Sequence, residues 1–256
     1  MKWSVVRSEG AVVVTMRSNP VNRMNPGFFD DLHAAFDAVE RDHPALPVVL
    51  TAEGKTFSAG LDFEDVFPRF ARNDMDELQG WFDRFRGSLL RVFTLPRRTV
   101  AAINGNTFAG GLILALACDV RVGAEGRARF AINEVPVGIP MPWTYIEMVR
   151  YAVGTPATAE MTLSGQLYDI AGAQRLGILH RVVAPELLLS EALVEARRIG
   201  VDSASAYAAS KLALQQPTTA AIAAHPELDR MAMQVVMNPD SVRAQATALA
   251  ALKKRD

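Results

Sequence analysis

Asn104-Gly105-Asn106-Thr107-Phe108-Ala109-Gly110-Gly111-Leu112-Ile113-Leu114-Ala115-Leu116-Ala117-Cys118-Asp119 follows the apolar run Thr99-Val100-Ala101-Ala102-Ile103. The run reads as a buried strand, and the residues beyond Gly111 are apolar on every side. Together they predict a strand, a glycine-bearing turn and a helix buried all round. Glycine at a helix mouth lets a ligand approach bare backbone, and the first amides of a helix have no intrahelical partner. Developing negative charge can therefore be held here without a basic side chain.

Upstream, Glu53-Gly54-Lys55-Thr56-Phe57-Ser58-Ala59-Gly60-Leu61-Asp62-Phe63 repeats the theme: a polar turn passes into small residues and then an amphipathic helical pattern. Before it, β-branched runs at 3–7 and 11–16 flank Ser8-Glu9-Gly10 and predict a hairpin. Asn25 followed by Pro26 marks a helix start, with Phe29, Leu32, Phe36 and Val39 on one face as far as Asp42. Residues 46–52 read as a buried strand, and 74–95 as a helix with Leu78, Trp81, Phe82, Phe85, Leu89 and Val92 on its apolar face.

Downstream of the central stretch, 120–122 and 128–132 read as strands, the second running into Asn133-Glu134-Val135-Pro136-Val137-Gly138. Pro142, Pro156 and Pro239 precede helical sequence, Thr155 and Asn238 stand at N-cap positions, and Gly165 and Gly177 stop helices. Residues 178–183 form a last strand. From Pro185 the chain is alanine-rich and reads as helical to its end. This divides a β/α core, 1–185, from an all-helical region, 186–256, whose apolar surface calls for packing on the core or on another subunit.

The chain has 256 residues, 50% of them hydrophobic, which is enough for a sizeable core. A formal net charge of −1 offers no long-range attraction to nucleic acid or to an anionic membrane. The single cysteine, Cys118, lies in an apolar run and reads as a buried structural thiol. No apolar run is long enough to span a bilayer, and the first strand begins almost at Met1, so the cytoplasm is the expected location.

Several chemistries are disfavoured. The turn at 104–111 lacks the lysine and hydroxyl of a phosphate loop, having Gly111 and Leu112 instead, and no G-x-G-x-x-G run is present. Ser58 is not in a G-x-S-x-G elbow. His33, His43, His180 and His225 are scattered, with no pair at i, i+4, and no metal site is expected.

With both glycine turns in hand, the chain resembles the crotonase family, the enoyl-CoA hydratase/isomerase superfamily. The resemblance rests on fragments in order: Asn19-Pro20-Val21-Asn22-Arg23-Met24, Phe57 to Asp62, the stretch at 104–119, Phe130 to Gly138, and Leu163-Ser164-Gly165 with Ala173 and the strand at 178–183. It implies a spiral of ββα units carrying the active site over 1–185, and C-terminal helices over 186–256 that assist assembly into a homotrimer or hexamer. It also implies an acyl-CoA substrate and an oxyanion hole from the backbone N–H groups of Leu61 and Gly110. Ser58, Ala59, Gly60, Phe108, Ile113 and Trp143 would border the substrate. No metal or separate cofactor is implied, coenzyme A being part of the substrate. Met141, Pro142 and Tyr145 are further candidates for the acyl pocket wall. Asp62 is expected to cap the helix beside it. Arg23, Lys55, Lys253 and Lys254 are candidates to meet the CoA phosphates.

The departures from the family pattern carry the functional expectation. Hydratases of the family use two glutamates, and the first of those positions is Ile113 here, while the second is retained as Glu134. The first glycine of the run is replaced by Ala109. Hydration needs a group to activate water and a proton for the α-carbon, whereas moving a double bond needs one base. The pattern resembles the 3,2-trans-enoyl-CoA isomerases, with Glu134 as proton shuttle in an apolar cleft. Another reaction of the same fold (thioester hydrolysis, decarboxylation, weak hydration or diketone cleavage) and a non-catalytic acyl-CoA-binding scaffold are the alternatives.

Overall fold

The computed structural model describes residues 2–198 and 203–252. Strands β1 (Ser4–Ser8) and β2 (Ala11–Met16) form the expected antiparallel hairpin. Its two-residue turn has positive φ at both Glu9 (45°) and Gly10 (79°), the geometry that suits strand twist. Helix α1 (Pro26–Asp42) begins where Asn25 accepts the Phe28 N–H, with proline in its first turn.

Three ββα units follow, and each sends its strands to different sheets. In the first, β3 (Val48–Ala52) enters a large sheet and β4 (Thr56–Ser58) a small one, followed by α2 (Phe63–Ala71) and α3 (Met75–Phe93). The second is β5 (Thr99–Ile103), β6 (Asn106–Phe108) and α4 (Gly110–Leu116). The third is β7 (Val120–Ala124), β8 (Phe130–Ala131) and α5 (Trp143–Ser164), with a 3-10 turn at Val135–Val137 between strand and helix. Helix α6 (Ile170–Arg175) leads on to β9 (Arg181–Val183); the large sheet runs β1-β2-β3-β5-β7-β9 and the small one β4-β6-β8. All pairings except the first hairpin are parallel. The architecture is thus an α/β spiral of ββα units followed by helices.

Alternate strand residues explain the near-continuous apolar runs, because both faces of the large sheet are covered. Val12, Val14, Leu50 and Ile103 join the main core with α1, α3 and α4. Val13, Val49, Val100 and Val122 instead pack on Leu188, Ala192, Leu193 and Ala196 of α7 (Leu188–Arg197). The first helix beyond residue 185 therefore completes the core of its own chain.

Helix α8 (Ala204–Ala224) lies on α5, α9 (Pro226–Val236) packs against α3 and α5, and α10 (Pro239–Leu252) against α2 and the 3-10 turn. Within α5 the helix breaks at Gly154 (φ 79°, ψ 164°) and restarts at Thr155-Pro156, as the sequence predicts. Among the described residues no helix is long and apolar enough to cross a membrane. Lys253 and Lys254 lie outside the described residues.

Candidate active site

The first glycine turn leaves β4 at Ser58 and is held by the segment at 19–24. Ser58 Oγ donates to the Asn22 carbonyl (2.7 Å) and accepts the Gly60 N–H (3.2 Å). Asn22 Nδ2 donates to the Thr56 carbonyl (3.3 Å), and Asn22 Oδ1 accepts the Ser18 N–H (3.1 Å). Ala59 N–H donates to Val21, Met24 N–H to Gly60, and Asp62 N–H to Met24. Asn22 itself has a positive φ of 49°, which its short polar side chain tolerates. The sequence marks Asn22 only as part of the 19–24 fragment that resembles the family, and gives no sign that its side chain holds this turn.

The second turn leaves β6 through Ala109 (φ 52°, ψ −130°) into α4. Ala109 N–H donates to Ala131 of β8, and the Ala109 carbonyl accepts the N–H groups of Leu112 and Ile113. The turns abut: a Cβ on Gly60 would stand 2.7 Å from Ala109 Cβ and 3.4 Å from the Gly110 nitrogen, and one on Gly111 would stand 2.6 Å from Ser58 Cβ. Glycine is required at both positions by this approach. The N–H groups of Leu61 and Gly110 find no hydrogen-bond acceptor among the described residues, while their neighbours Gly60, Asp62 and Ala109 all donate.

Glu134 ends the segment after β8 and begins the 3-10 turn, its carbonyl accepting the N–H groups of Val137 and Ile139. The turn is clamped from two sides. A Cβ on Gly138 (φ +77°) would strike the Ser241 carbonyl of α10 at 2.7 Å, and one on Gly165, which caps α5, would strike Pro136 Cγ at 2.4 Å. The Glu134 side chain is 6% exposed and its Oε2 has no partner. Burial pushes its carboxyl up to about 7, against partial relief from the backbone amides of Glu134 and Asn133.

Glu134 opens on a cavity of about 50 Å³ shared with Leu61, Ile113, Trp81, Tyr145 and Met233. Apart from Glu134 its lining is apolar or aromatic, and among the described residues no second carboxylate and no cation lines it. Ala232, Met233 and Val236 come from α9, so the helical region closes the cavity of its own chain.

The structure brings Leu61, Ile113 and Glu134 together at the cavity, with Gly60 and Gly110 in the adjoining turns. It does not bring the other expected substrate-bordering residues there. Ser58 is fully buried with its hydroxyl engaged, Ala59 secures the turn through its amide, and Phe108 is absent from the lining. Trp143 is turned toward α8, donating from Nε1 to the Ala221 carbonyl at 3.0 Å, with Arg150 5.4 Å above its ring. Met141, Pro142 and Tyr145 do form the wall. Asp62 stands at the N-cap position of α2, but its carboxylate makes no capping bond and Oδ1 is buried without a partner. Arg23 adjoins Met24, whose backbone bridges Leu61, while Lys55 is exposed ahead of β4; neither forms an ion pair among the described residues.

A second cavity, of about 280 Å³, lies between α5, α8 and the strand ends, and is polar. Lys211 Nζ meets Asp119 at 2.9 Å, and Asp119 also accepts from Thr99 N–H and Oγ1. Arg121 donates to the carbonyls of Ile178 and Cys118 and contacts His180. Burial, then the charge of Arg121, pushes His180 down to about 4, while burial pushes the Cys118 thiol up to about 12. The neutral histidine and inert thiol read as structural.

A ββα spiral with two abutting glycine turns and one buried carboxylate defines a crotonase-type enzyme. The chain belongs to the enoyl-CoA hydratase/isomerase family, whose model matches residues 7–256. It is similar to a putative enoyl-CoA hydratase of Thermus thermophilus, 35% identical over 211 residues, covering 79% of this chain and 80% of that one. It is also similar to mitochondrial enoyl-CoA delta isomerase 1 of Mus musculus, 30% identical over 185 residues, covering 72% and 63%. The crystal structure of human mitochondrial delta3-delta2-enoyl-CoA isomerase superposes with a TM-score of 0.89 over 100% of both chains at 25% identity.

Proposed function

We propose that this enzyme moves the double bond of a 3-enoyl-CoA to the trans-2 position, with Glu134 as the one proton shuttle. The observation that carries the reading is the cavity wall itself: Ile113 stands where a hydratase of the family would carry its other glutamate, and Glu134 is the one carboxylate among the described lining residues. Water activation alongside α-carbon protonation has no second group to divide the work.

In this reading the thioester oxygen sits between the free N–H groups of Leu61 and Gly110. Ionised Glu134 removes a proton from C2, and the C–H electron pair becomes the C1=C2 bond of a dienolate whose charge rests on that oxygen. The carbonyl then re-forms, C2=C3 is created, and the electrons of C3=C4 take the proton back from Glu134 at C4. The proton count is unchanged overall. Two preoriented amides stabilise the dienolate without reorganising water, a contribution of roughly 3 kcal/mol per donor. The apolar lining holds the Glu134 carboxyl near neutrality, where it can both accept and return a proton.

Hydrolysis or decarboxylation would draw on a further polar residue, and of the segment 62–73 the cavity receives only Phe70. Incubation with 3-hexenoyl-CoA and with 2-hexenoyl-CoA separates the readings. Conjugation of the first without hydration of the second is the expected result. Release of free thiol points to hydrolysis, and inertness toward both with retained binding leaves a scaffold. A trimer or hexamer and a cytoplasmic location belong to the same proposal, tested by light scattering and fractionation.

A further inference from the structure

The cavity that Glu134 opens on is small, and its wall is locked. Phe70, Trp81, Phe85, Tyr145 and Phe82 line it as one unbroken chain of ring contacts, with successive centroids 6.1, 5.5, 4.9 and 5.9 Å apart. The chain ties α2, α3 and the start of α5 together, and Ala232, Met233 and Val236 of α9 add aliphatic carbon to the lining. All of these residues are buried except Trp81, which is half-buried. Each ring leans on the next, so extra methylenes forced among them would push packed side chains off their places. Trp81 is the one ring of the chain that solvent also reaches, so it stands between the cavity and the outside.

Volume decides how much of an acyl tail this space takes. An apolar cavity of roughly 150 Å³ holds one benzene ring. By that measure the present cavity, of about 50 Å³, holds about two carbons. Glu134 lines the same space, so those carbons follow directly on the reacting segment from C2 to C4. Resting on the acyl-CoA reading above, we propose that the enzyme is selective for short acyl chains, of up to about six carbons, and that Trp81 sets the limit by sealing the cavity from solvent.

In an open trough, each further buried methylene would tighten binding about fourfold. Hexanoyl-CoA and decanoyl-CoA, saturated and therefore unreactive, are titrated by calorimetry into the full chain. Decanoyl-CoA should bind no tighter than hexanoyl-CoA, whereas an open trough would favour it by more than roughly 100-fold. Trp81→Ala, or Trp81→Leu if thermal unfolding shows that the alanine variant does not fold, should raise the affinity for decanoyl-CoA relative to hexanoyl-CoA by about tenfold. Wild-type binding of decanoyl-CoA more than about threefold tighter than that of hexanoyl-CoA overturns the length limit. A ratio unmoved by the exchange at Trp81 overturns its role as the seal. If the wild-type ratio holds but 3-hexenoyl-CoA is not isomerised, the isomerase reading falls and the length limit stands. If no CoA thioester binds, both fall.

Discussion

Two cavities of this molecule bury charge in opposite ways. Around Asp119, Arg121 and Lys211 each buried charge meets an opposite charge or a row of carbonyls, and the histidine among them is neutral. Around Glu134 one carboxylate oxygen meets nothing, in a wall of aliphatic and aromatic carbon. A paired buried charge is a structural fastening, because breaking it strands its partner. An unpaired one is tolerated where its raised proton affinity is used. The comparison assigns stability to the first cavity and reactivity to the second, and each assignment can be broken separately.

The largest expected effect is on turnover. Glu134→Gln should retain acyl-CoA binding and lose kcat on 3-hexenoyl-CoA by roughly 10²- to 10⁴-fold; unchanged turnover would place the base elsewhere. The counterpart is Lys211→Met, which leaves Asp119 buried without its cation and should cost about 3 kcal/mol in denaturant unfolding. The folded fraction of that variant should keep its specific activity. A loss of activity at full stability would collapse the distinction between the cavities.

Proton linkage gives the next effect. The Glu134 carboxyl is raised from 4.5 to about 7 in the fold, so the ionised form is disfavoured there. Its stability contribution is therefore complete below the unfolded value and lost as pH climbs through about 7. Glu134→Gln should exceed the wild type in stability at pH 8 by up to about 3 kcal/mol, the gap closing toward pH 4. In the wild type, kcat/KM should fall as pH drops below about 7, since in the proposed reaction Glu134 must be ionised to take the C2 proton. An acid limb near pH 4 would show that the carboxyl is solvated. The smallest effect is at Ala109, whose φ of 52° suits glycine better. Relief of that strain against the added backbone entropy of glycine should leave Ala109→Gly within about 1 kcal/mol of the wild type, on the stabilising side.

The reactive side of this contrast is legible in the sequence, while the polar cluster of Asp119, Arg121 and Lys211 is not, since Lys211 lies far from the other two in the chain. The glycine turns announce themselves as small-residue runs between strand and helix, and the structure gives the reason, since Gly60 and Gly111 stand where a Cβ cannot fit; Glu134 is marked by the family resemblance alone, because a carboxylate after a strand otherwise reads as surface. Of the small sheet only β8 falls in a segment that reads as a strand, 128–132; β4 and β6 were hidden, since three residues each are too few for any periodicity to register. The choice of wall residue was hidden as well. Trp143 and Tyr145 lie two apart at the start of α5, so they point to opposite sides of the helix, and only the packing of α8 and α9 decides which is inward. The reach of the tail could not be inferred from composition: alanine-rich helices look alike whether they cover a sheet, close a cavity or meet another subunit.

The abutment of the turns at Gly60 and Gly111 has an engineering consequence. The two free amides beside it, at Leu61 and Gly110, are main chain and are gauged by missing side-chain atoms, so in the proposed reaction an exchange in the cavity wall, such as at Ile113, leaves them untouched. Reaction type then becomes an interchangeable fitting on a fixed mount. A designer seeking a new outcome from this scaffold should alter the wall opposite and leave those glycines alone.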